Sequence, residues 1–183
     1  MSYNEVDTNI ISYYNTDHIL SNKISIEHLL ELLTMHADVR VMATLGGVRD
    51  EQSTRDFLAR QLDHWKQYGY GLWMLHDAHD GRFVGRAGIR HITIDYRDEV
   101  EIAYALMSEF WGRGLATEVG HKLVAIAFEY LGLPDLIAFT TPDNHASRRV
   151  MAKLGLAYER DFLWADSPHV LYRLKNPNGP APP

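Results

Sequence analysis

The segment from Trp111 to Thr117, with the sequence WGRGLAT, combines two glycines with the start of a long stretch of helical periodicity. Glycine lets backbone amides approach a bulky group, and the first N–H groups of a helix have no partner inside it. The junction therefore predicts an anion site, above all for phosphate. The spacing from Gly112 to Ala116 would let successive amides wrap a pyrophosphate, although a tight turn that binds nothing is the alternative from the turn alone.

Two common phosphate motifs do not fit this segment. A P-loop needs G-x-x-x-x-G-K-S/T, and no such string occurs in the chain. In a dinucleotide-binding G-x-G-x-x-G motif, the third glycine would fall on Thr117, and no acidic residue closes a short strand about 20 residues later. The sequence therefore favours a different kind of pyrophosphate site.

The composition is that of one ordinary globular domain. The chain has 183 residues, of which 46% are hydrophobic, and a formal net charge of -6. That charge argues against a nucleic-acid surface and weakly favours a cationic substrate. The chain has no cysteine, which excludes disulfides and a cysteine nucleophile. Without a signal-like N-terminus or a long apolar run, we expect a cytoplasmic protein that makes no membrane contact.

The helices and strands that must position this turn are predicted from the periodicity of apolar residues and from the Gly, Pro and polar residues that end each segment. Predicted helices cover 26–36, 51–68, 115–131 and 144–154, and predicted strands cover 10–14, 18–20, 71–76, 82–91, 100–107, 136–141, 157–163 and 169–174. Because a strand-helix-strand unit normally makes a right-handed crossover, 100–107 and 136–141 should be parallel. The expected fold is α+β, a mixed, mostly antiparallel sheet with helices on both faces.

The stretch EIAYALMSEFWGRGLATE followed by TTPDNHASRRVMAKLGL strongly resembles the GNAT superfamily of acyl-CoA N-acetyltransferases. The branch it resembles is that of the ribosomal-protein alanine and serine acetyltransferases. In the family's loop pattern, Gly114 and Ala116 match, whereas Trp111 stands where Gln or Arg is usual. The resemblance runs from about 71 to 174 and fades over the first fifty residues, which leaves the acceptor open.

The resemblance implies a GNAT fold, with the central sheet splayed between its two parallel strands. It implies one acetyltransferase domain over 1–175, and the Pro- and Gly-rich residues 176–183 are expected to form a disordered tail. The implied activity is direct transfer of acetyl from acetyl-CoA to a primary amine, on a small molecule or a protein N-terminus, by a monomer or homodimer without metal. A non-catalytic acyl-CoA-binding or sensor module with the same fold is the rival hypothesis.

The resemblance also implies site residues. Glu101 is the candidate base, with a surface glutamate at a strand edge as the alternative. A backbone N–H near Leu106 or Met107 is the candidate oxyanion donor. The implied cofactor-binding residues are Leu106, Met107, Trp111, Gly112, Arg113, Gly114, Leu115, Ala116, Thr117, Asn144 and Ser147.

For the leaving thiolate, the position where many relatives have a tyrosine holds Met151. Ser147, three residues after Asn144, can donate a hydrogen bond to the sulfur, and the resemblance implies a serine at this place; a merely structural hydroxyl is the alternative. Asn144 is an N-cap candidate that the resemblance also places at the cofactor. Tyr104 is interpreted as a core residue. The segment 76–80, HDAHD, holds potential metal ligands, but its position at a hairpin turn makes a metal site improbable.

Overall fold

The computed structural model describes residues 12–179. Its strands are β1 (Tyr13–Asn15), β2 (Ile19–Lys23), β3 (Leu72–Asp77), β4 (Phe83–Ile94), β5 (Arg97–Leu106), β6 (Asp135–Thr140), β7 (Ala157–Trp164) and β8 (Ser167–Lys175). Its α-helices are α1 (Leu29–Ala37), α2 (Val39–Met42), α3 (Glu51–Tyr68), α4 (Leu115–Ala125) and α5 (His145–Lys153). The predicted α+β class is confirmed, while residues 10 and 11 of the first predicted strand lie outside the described residues.

The eight strands form one sheet in the order β1-β2-β3-β4-β5-β6-β8-β7. Every neighbouring pair is antiparallel except β5 and β6, which are parallel as predicted. The parallel pair has a single matched position, Glu101 opposite Ile137. No further position of the two strands is matched, so toward their C-terminal ends, at Leu106 and Thr140, the ladder between β5 and β6 is interrupted. This interruption is the predicted splay.

The β4–β5 hairpin is longer than the sequence pattern indicated. The two strands pair from Gly85 opposite Leu106 to Ile94 opposite Arg97, and Asp95 and Tyr96 form the connecting turn. Both turn residues have positive φ, 50° and 62°, as the primed two-residue turns of β-hairpins require. Neither is glycine, and the turn was therefore not evident from the sequence.

Helices cover both faces of the sheet. On one face, Phe57 of α3 packs on Arg86 of β4, and Met35 of α1 clusters with Ala105 of β5. On the other face, Tyr104 of β5 contacts Ser147 of α5. Because successive strand residues point to opposite faces, Ala105 and Tyr104 mark the two sides. We call the side of Arg86 and Ala105 the α3 face and the other the α5 face.

Helix α4 begins directly after Gly114 and ends earlier than its apolar pattern predicts. Gly114 is the N-cap residue with φ 82°, and Leu115, Val119 and Leu123 are buried. A π-helical turn, Ile126–Tyr130, continues the helix, and Gly132 with φ 62° follows it. Gly120 lies so close to α5 that a Cβ there would be 2.6 Å from Leu154 Cδ1. Helices α4 and α5 are therefore packed together on the α5 face.

The chain after β8 is tied down at its first residue. Asn176 donates its backbone N–H to Pro134 O at 2.8 Å and its side-chain Nδ2 to Leu133 O at 2.9 Å. Asn176, the first residue of the predicted tail, is therefore bonded to the segment that precedes β6. Residues 180–183 of that predicted tail lie outside the described residues.

Candidate active site

The loop between β5 and α4 presents free backbone donors. Within residues 12–179, the N–H groups of Gly112 to Ala116 donate to no protein acceptor. Gly112 and Gly114 have φ of 75° and 82°, which turns the chain in the left-handed way that side chains disfavour. Thr117 is an exception, since its N–H donates to Gly114 O at 3.0 Å. This N–H is therefore engaged within the first turn of α4, and the predicted contact of Thr117 with the cofactor would depend on its side chain.

Side chains of the loop are held away from these donors. The Trp111 indole donates from Nε1 to Leu106 O at 2.8 Å and remains 47% exposed. The Arg113 guanidinium lies 3.4 Å from Asp77 Oδ2 and over the Phe110 ring. The free N–H groups of Gly112 to Ala116, which we call the cradle, are therefore not covered by these side chains. The Trp111–Leu106 bond anchors the loop to the end of β5.

The backbone N–H groups of Leu106 and Met107 differ in the direction in which they point. Of the two alternatives for the oxyanion donor, the Met107 N–H is already bonded to Val84 O at 2.8 Å. Donors along a paired strand alternate in direction. The N–H of Leu106 is therefore directed away from β4, toward the gap that β6 leaves. Leu106 is the better-placed of the two candidates.

Glu101 is a buried residue of a central strand. It is 5% exposed, and its Oε2 accepts from Arg90 Nε at 2.6 Å. The alternative of a surface glutamate at a sheet edge is wrong, because β4 and β6 flank β5 on both sides. Glu101 lies on the α3 face at the closed end of the splay, opposite Ile137. Its carboxylate stands where the two parallel strands begin to separate.

Ser147 has a partner that the sequence did not indicate. The Tyr104 hydroxyl lies 3.0 Å from Ser147 Oγ and 3.2 Å from Ser147 O. Burial raises the pKa of Tyr104 to about 12. Tyr104 was interpreted as core because it alternates with apolar strand residues. The alternation of side chains along β5 could have indicated this contact, since it places Tyr104 on the face of the sheet that α4 and α5 cover.

Asn144 is the N-cap of α5. Its Oδ1 accepts from Ser147 N at 3.1 Å, and its Nδ2 donates to Thr140 Oγ1 at 2.9 Å. Both ends of the amide are therefore engaged in fixing the turn from β6 into α5. Met151, at the position where a tyrosine was excluded, is completely buried in the main core. The cap thus orients the first turn of α5, which carries Ser147.

The HDAHD segment and the rest of the described chain offer no metal cluster. Between residues 12 and 179, no three His, Cys, Asp or Glu side chains lie close enough together to hold an ion. Asp77 of that segment instead accepts from His79 N and pairs with Arg113. In the same range, no helix combines the length and the apolar character needed to cross a membrane.

Comparisons with known proteins agree with this geometry. The family model described as "Acetyltransferase (GNAT) domain" matches residues 19–157. YkkB of Bacillus subtilis is 30% identical over 141 residues, which are 77% of this chain and 82% of YkkB. The FsC-acetyl coenzyme A-N(2)-transacetylase of Aspergillus fumigatus is 35% identical over 100 residues, 51% of this chain but only 42% of that enzyme.

Solved structures show the same fold. An acetyltransferase from Agrobacterium tumefaciens superposes with a TM-score of 0.78 at 25% identity, covering 88% of this chain and 93% of that one. The ribosomal-protein-S5-alanine acetyltransferase of Vibrio fischeri superposes with a TM-score of 0.70 at 17% identity, covering 92% and 99%. The splayed sheet, the free loop amides and the family match lead to one conclusion: the chain belongs to the GNAT acetyltransferase family.

Proposed function

We propose that this protein is an N-acetyltransferase that moves an acetyl group from acetyl-CoA to a primary amine by direct attack. The observation that carries the proposal is the coincidence of two features at one end of the sheet. The free N–H groups of Gly112 to Ala116 follow β5, and the gap between β5 and β6 opens at the same end. A pyrophosphate and an extended amide chain need such features.

The residues present fit acetyl-CoA. The amides from Gly112 to Ala116 would bind its pyrophosphate, and the Leu106 N–H in the gap would bond an amide or the thioester oxygen. When bound, acetyl-CoA supplies an activated acetyl carbon and a thiolate leaving group. The family membership and the name of the Aspergillus relative, which includes acetyl coenzyme A, support this donor.

Glu101 is proposed to receive the proton that the amine must lose. The amine nitrogen forms a C–N bond with the acetyl carbon while the C–S bond breaks, and the electron pair leaves with sulfur. Glu101, ion-paired with Arg90, would hold the proton directly or through a water. Glu101 lies at the Glu101–Ile137 pair and its side chain is on the α3 face. We propose that the acceptor amine approaches the thioester from this face.

Ser147 is proposed to donate the hydrogen bond or proton that the sulfur needs. The Tyr104 hydroxyl contacts Ser147 Oγ and orients it from beneath α5. Since burial raises the pKa of Tyr104 to about 12, its phenol stays protonated across the neutral and mildly alkaline range. Tyr104 and Ser147 would thus act as one hydroxyl pair.

The loop assignment is tested by calorimetry with acetyl-CoA. A one-to-one complex is expected, and Gly114→Trp should abolish it, because the φ of 82° disfavours a side chain and the indole would occupy the cradle. Gly69→Trp is the matched control: Gly69 has φ 73°, equally open surroundings and a place at the C-cap of α3. The control should bind normally.

Unchanged affinity in Gly114→Trp would defeat the loop assignment. Catalysis is separated from binding by following CoA release with a thiol reagent across a panel of amines. Saturable acetyl-CoA binding with no release for any amine would favour the rival, a non-catalytic acyl-CoA-binding or sensor module. Release that depends on the amine supports the transferase.

A further inference from the structure

Arg86 on the α3 face is a buried cation without a counter-ion. Arg86 is 5% exposed, and its buried Nε has no hydrogen-bond partner. No hydrogen bond or ion pair of this guanidinium is found within residues 12–179; it lies 4.7 Å from the centre of the Phe57 ring, and the charge of Glu101 acts on it without a direct contact. A buried charge is costly unless it is paired, so Arg86 lacks the partner that its position requires.

Two further unpartnered polar atoms lie around the same ring. Arg49, in the loop between α2 and α3, stacks 5.2 Å from Phe57 and has a buried Nη1 without a partner. His36 of α1 packs edge-on against Phe57 at 5.0 Å, and its buried Nε2 also has no partner. All three side chains contact the Phe57 ring, and burial together with the charges of Arg86 and Arg49 lowers the pKa of His36 to about 3.

The local charge is positive in a chain whose net charge is negative. Arg86 and Arg90 both lie near the Glu101 carboxylate, which already pairs with Arg90, and the charges that act on Arg49 are those of Arg60 and Arg90. Arg86 and Arg90 lie on the same face of β4, opposite Ala105 and Glu101 of β5. The unpaired positive charge therefore borders the proposed base. The net charge of -6 had favoured a cationic substrate, whereas the charges at the site favour an anionic group.

We propose that Arg86, Arg49 and His36 form an anion subsite beside Glu101 on the α3 face and that the amine acceptor carries a carboxylate. The inference rests on the proposed acetyl transfer for the position of the amine. A carboxylate is the small planar anion that guanidinium donors bind with paired hydrogen bonds. Its charge would give Arg86 the missing partner, and the amine on the same molecule would lie toward Glu101.

The subsite is tested first without catalysis. Sodium butyrate should raise the melting temperature of the wild-type protein by at least about 2 °C relative to sodium chloride at equal ionic strength. The shift should vanish in Arg49→Gln and in Arg86→Met, which keeps an apolar contact with Phe57. Arg55→Gln is the matched control: Arg55 lies on α3 and pairs with exposed Glu51, so its loss should leave the shift intact. Absence of a shift in the wild type overturns the subsite.

The acceptor is tested by turnover with matched amines. The kcat/KM for γ-aminobutyrate should exceed that for n-butylamine by about tenfold or more, and Arg49→Gln should remove this preference. Equal rates for the two amines, or a preference confined to phosphoethanolamine over ethanolamine, overturn the carboxylate. No turnover with any amine, together with the butyrate shift, would leave the subsite standing and refute the acetyl transfer.

Discussion

At the scale of single residues, the structure divides the proposed chemistry between the two faces of β5. Glu101 lies on the α3 face with Arg90, and Tyr104 lies on the α5 face with Ser147. If a thioester is held beside this strand, the base on one face can act on the attacking amine and the acid on the other face can act on the leaving sulfur. The alternation of β5 thereby keeps the proposed proton acceptor, Glu101, apart from the proposed donor, Ser147.

Glu101→Gln should lower kcat about 100-fold without changing the affinity for acetyl-CoA, because Gln keeps the shape but cannot accept the proton. The deficit should shrink as the pH rises toward the pKa of the amine, since more amine is then already neutral. Steady-state rates between pH 7 and 10 test this, with Glu51→Gln on the exposed first turn of α3 as the control. A deficit that does not change with pH would contradict the role of base.

Tyr104→Phe should lower kcat about tenfold and leave acetyl-CoA affinity unchanged, because Ser147 Oγ loses its partner at 3.0 Å. Ser147→Ala should cost more, and adding Tyr104→Phe to it should cost nothing further. With the pKa of Tyr104 raised to about 12, the wild-type rate should show no alkaline loss from this group below pH 10. Additive losses in the double variant would show that the two hydroxyls act separately.

At the scale of elements, periodicity predicted what depends on local sequence. Helix α3 lies where its apolar stripe and Gly69 placed it, from Glu51 to Tyr68. The Asp95–Tyr96 turn was missed because its positive φ values fall on two residues other than glycine, so the residue types did not indicate a turn. The bond from Met107 to Val84 and the contact of Tyr104 with Ser147 were not predictable, because they depend on register and on packing between distant segments.

Asn144→Ala should lower the free energy of unfolding by about 1 kcal/mol, because α5 loses the cap that Oδ1 provides to Ser147 N. Asn144→Ser, which can cap, should stay within about 0.5 kcal/mol of the wild type and bind acetyl-CoA normally. Urea unfolding and calorimetry measure the two quantities. A Ser variant of normal stability but tenfold weaker acetyl-CoA binding would show that the Asn144 amide also contacts the cofactor.

At the scale of the whole molecule, the sheet consists of two parts that meet at one matched position. Strands β1 to β5 and strands β6 to β8 are joined by the Glu101–Ile137 pair, and the sheet opens beyond it. Arg173 of β8 spans the closed end: its guanidinium donates to Glu99 of β5, Asp135 of β6 and Glu159 of β7. These bonds raise the pKa of Arg173, so its charge persists at all ordinary pH values. One side chain thus links both parts of the sheet behind the splay.

Arg173→Gln should lower the free energy of unfolding by about 3 kcal/mol, because the three carboxylates that share Arg173 would lose their common partner, and that of Glu99 is largely shielded from water. The exposed Arg55–Glu51 pair offers the comparison, since Arg55→Gln should cost less than about 1 kcal/mol. Urea unfolding at low and high salt measures both, and salt should recover part of the Arg173 loss by screening the carboxylates. Because the closed end sets where the strands separate, the Michaelis constant for acetyl-CoA should rise as well. A stable variant with an unchanged Michaelis constant would show that the single strand pair alone holds the two parts of the sheet in place.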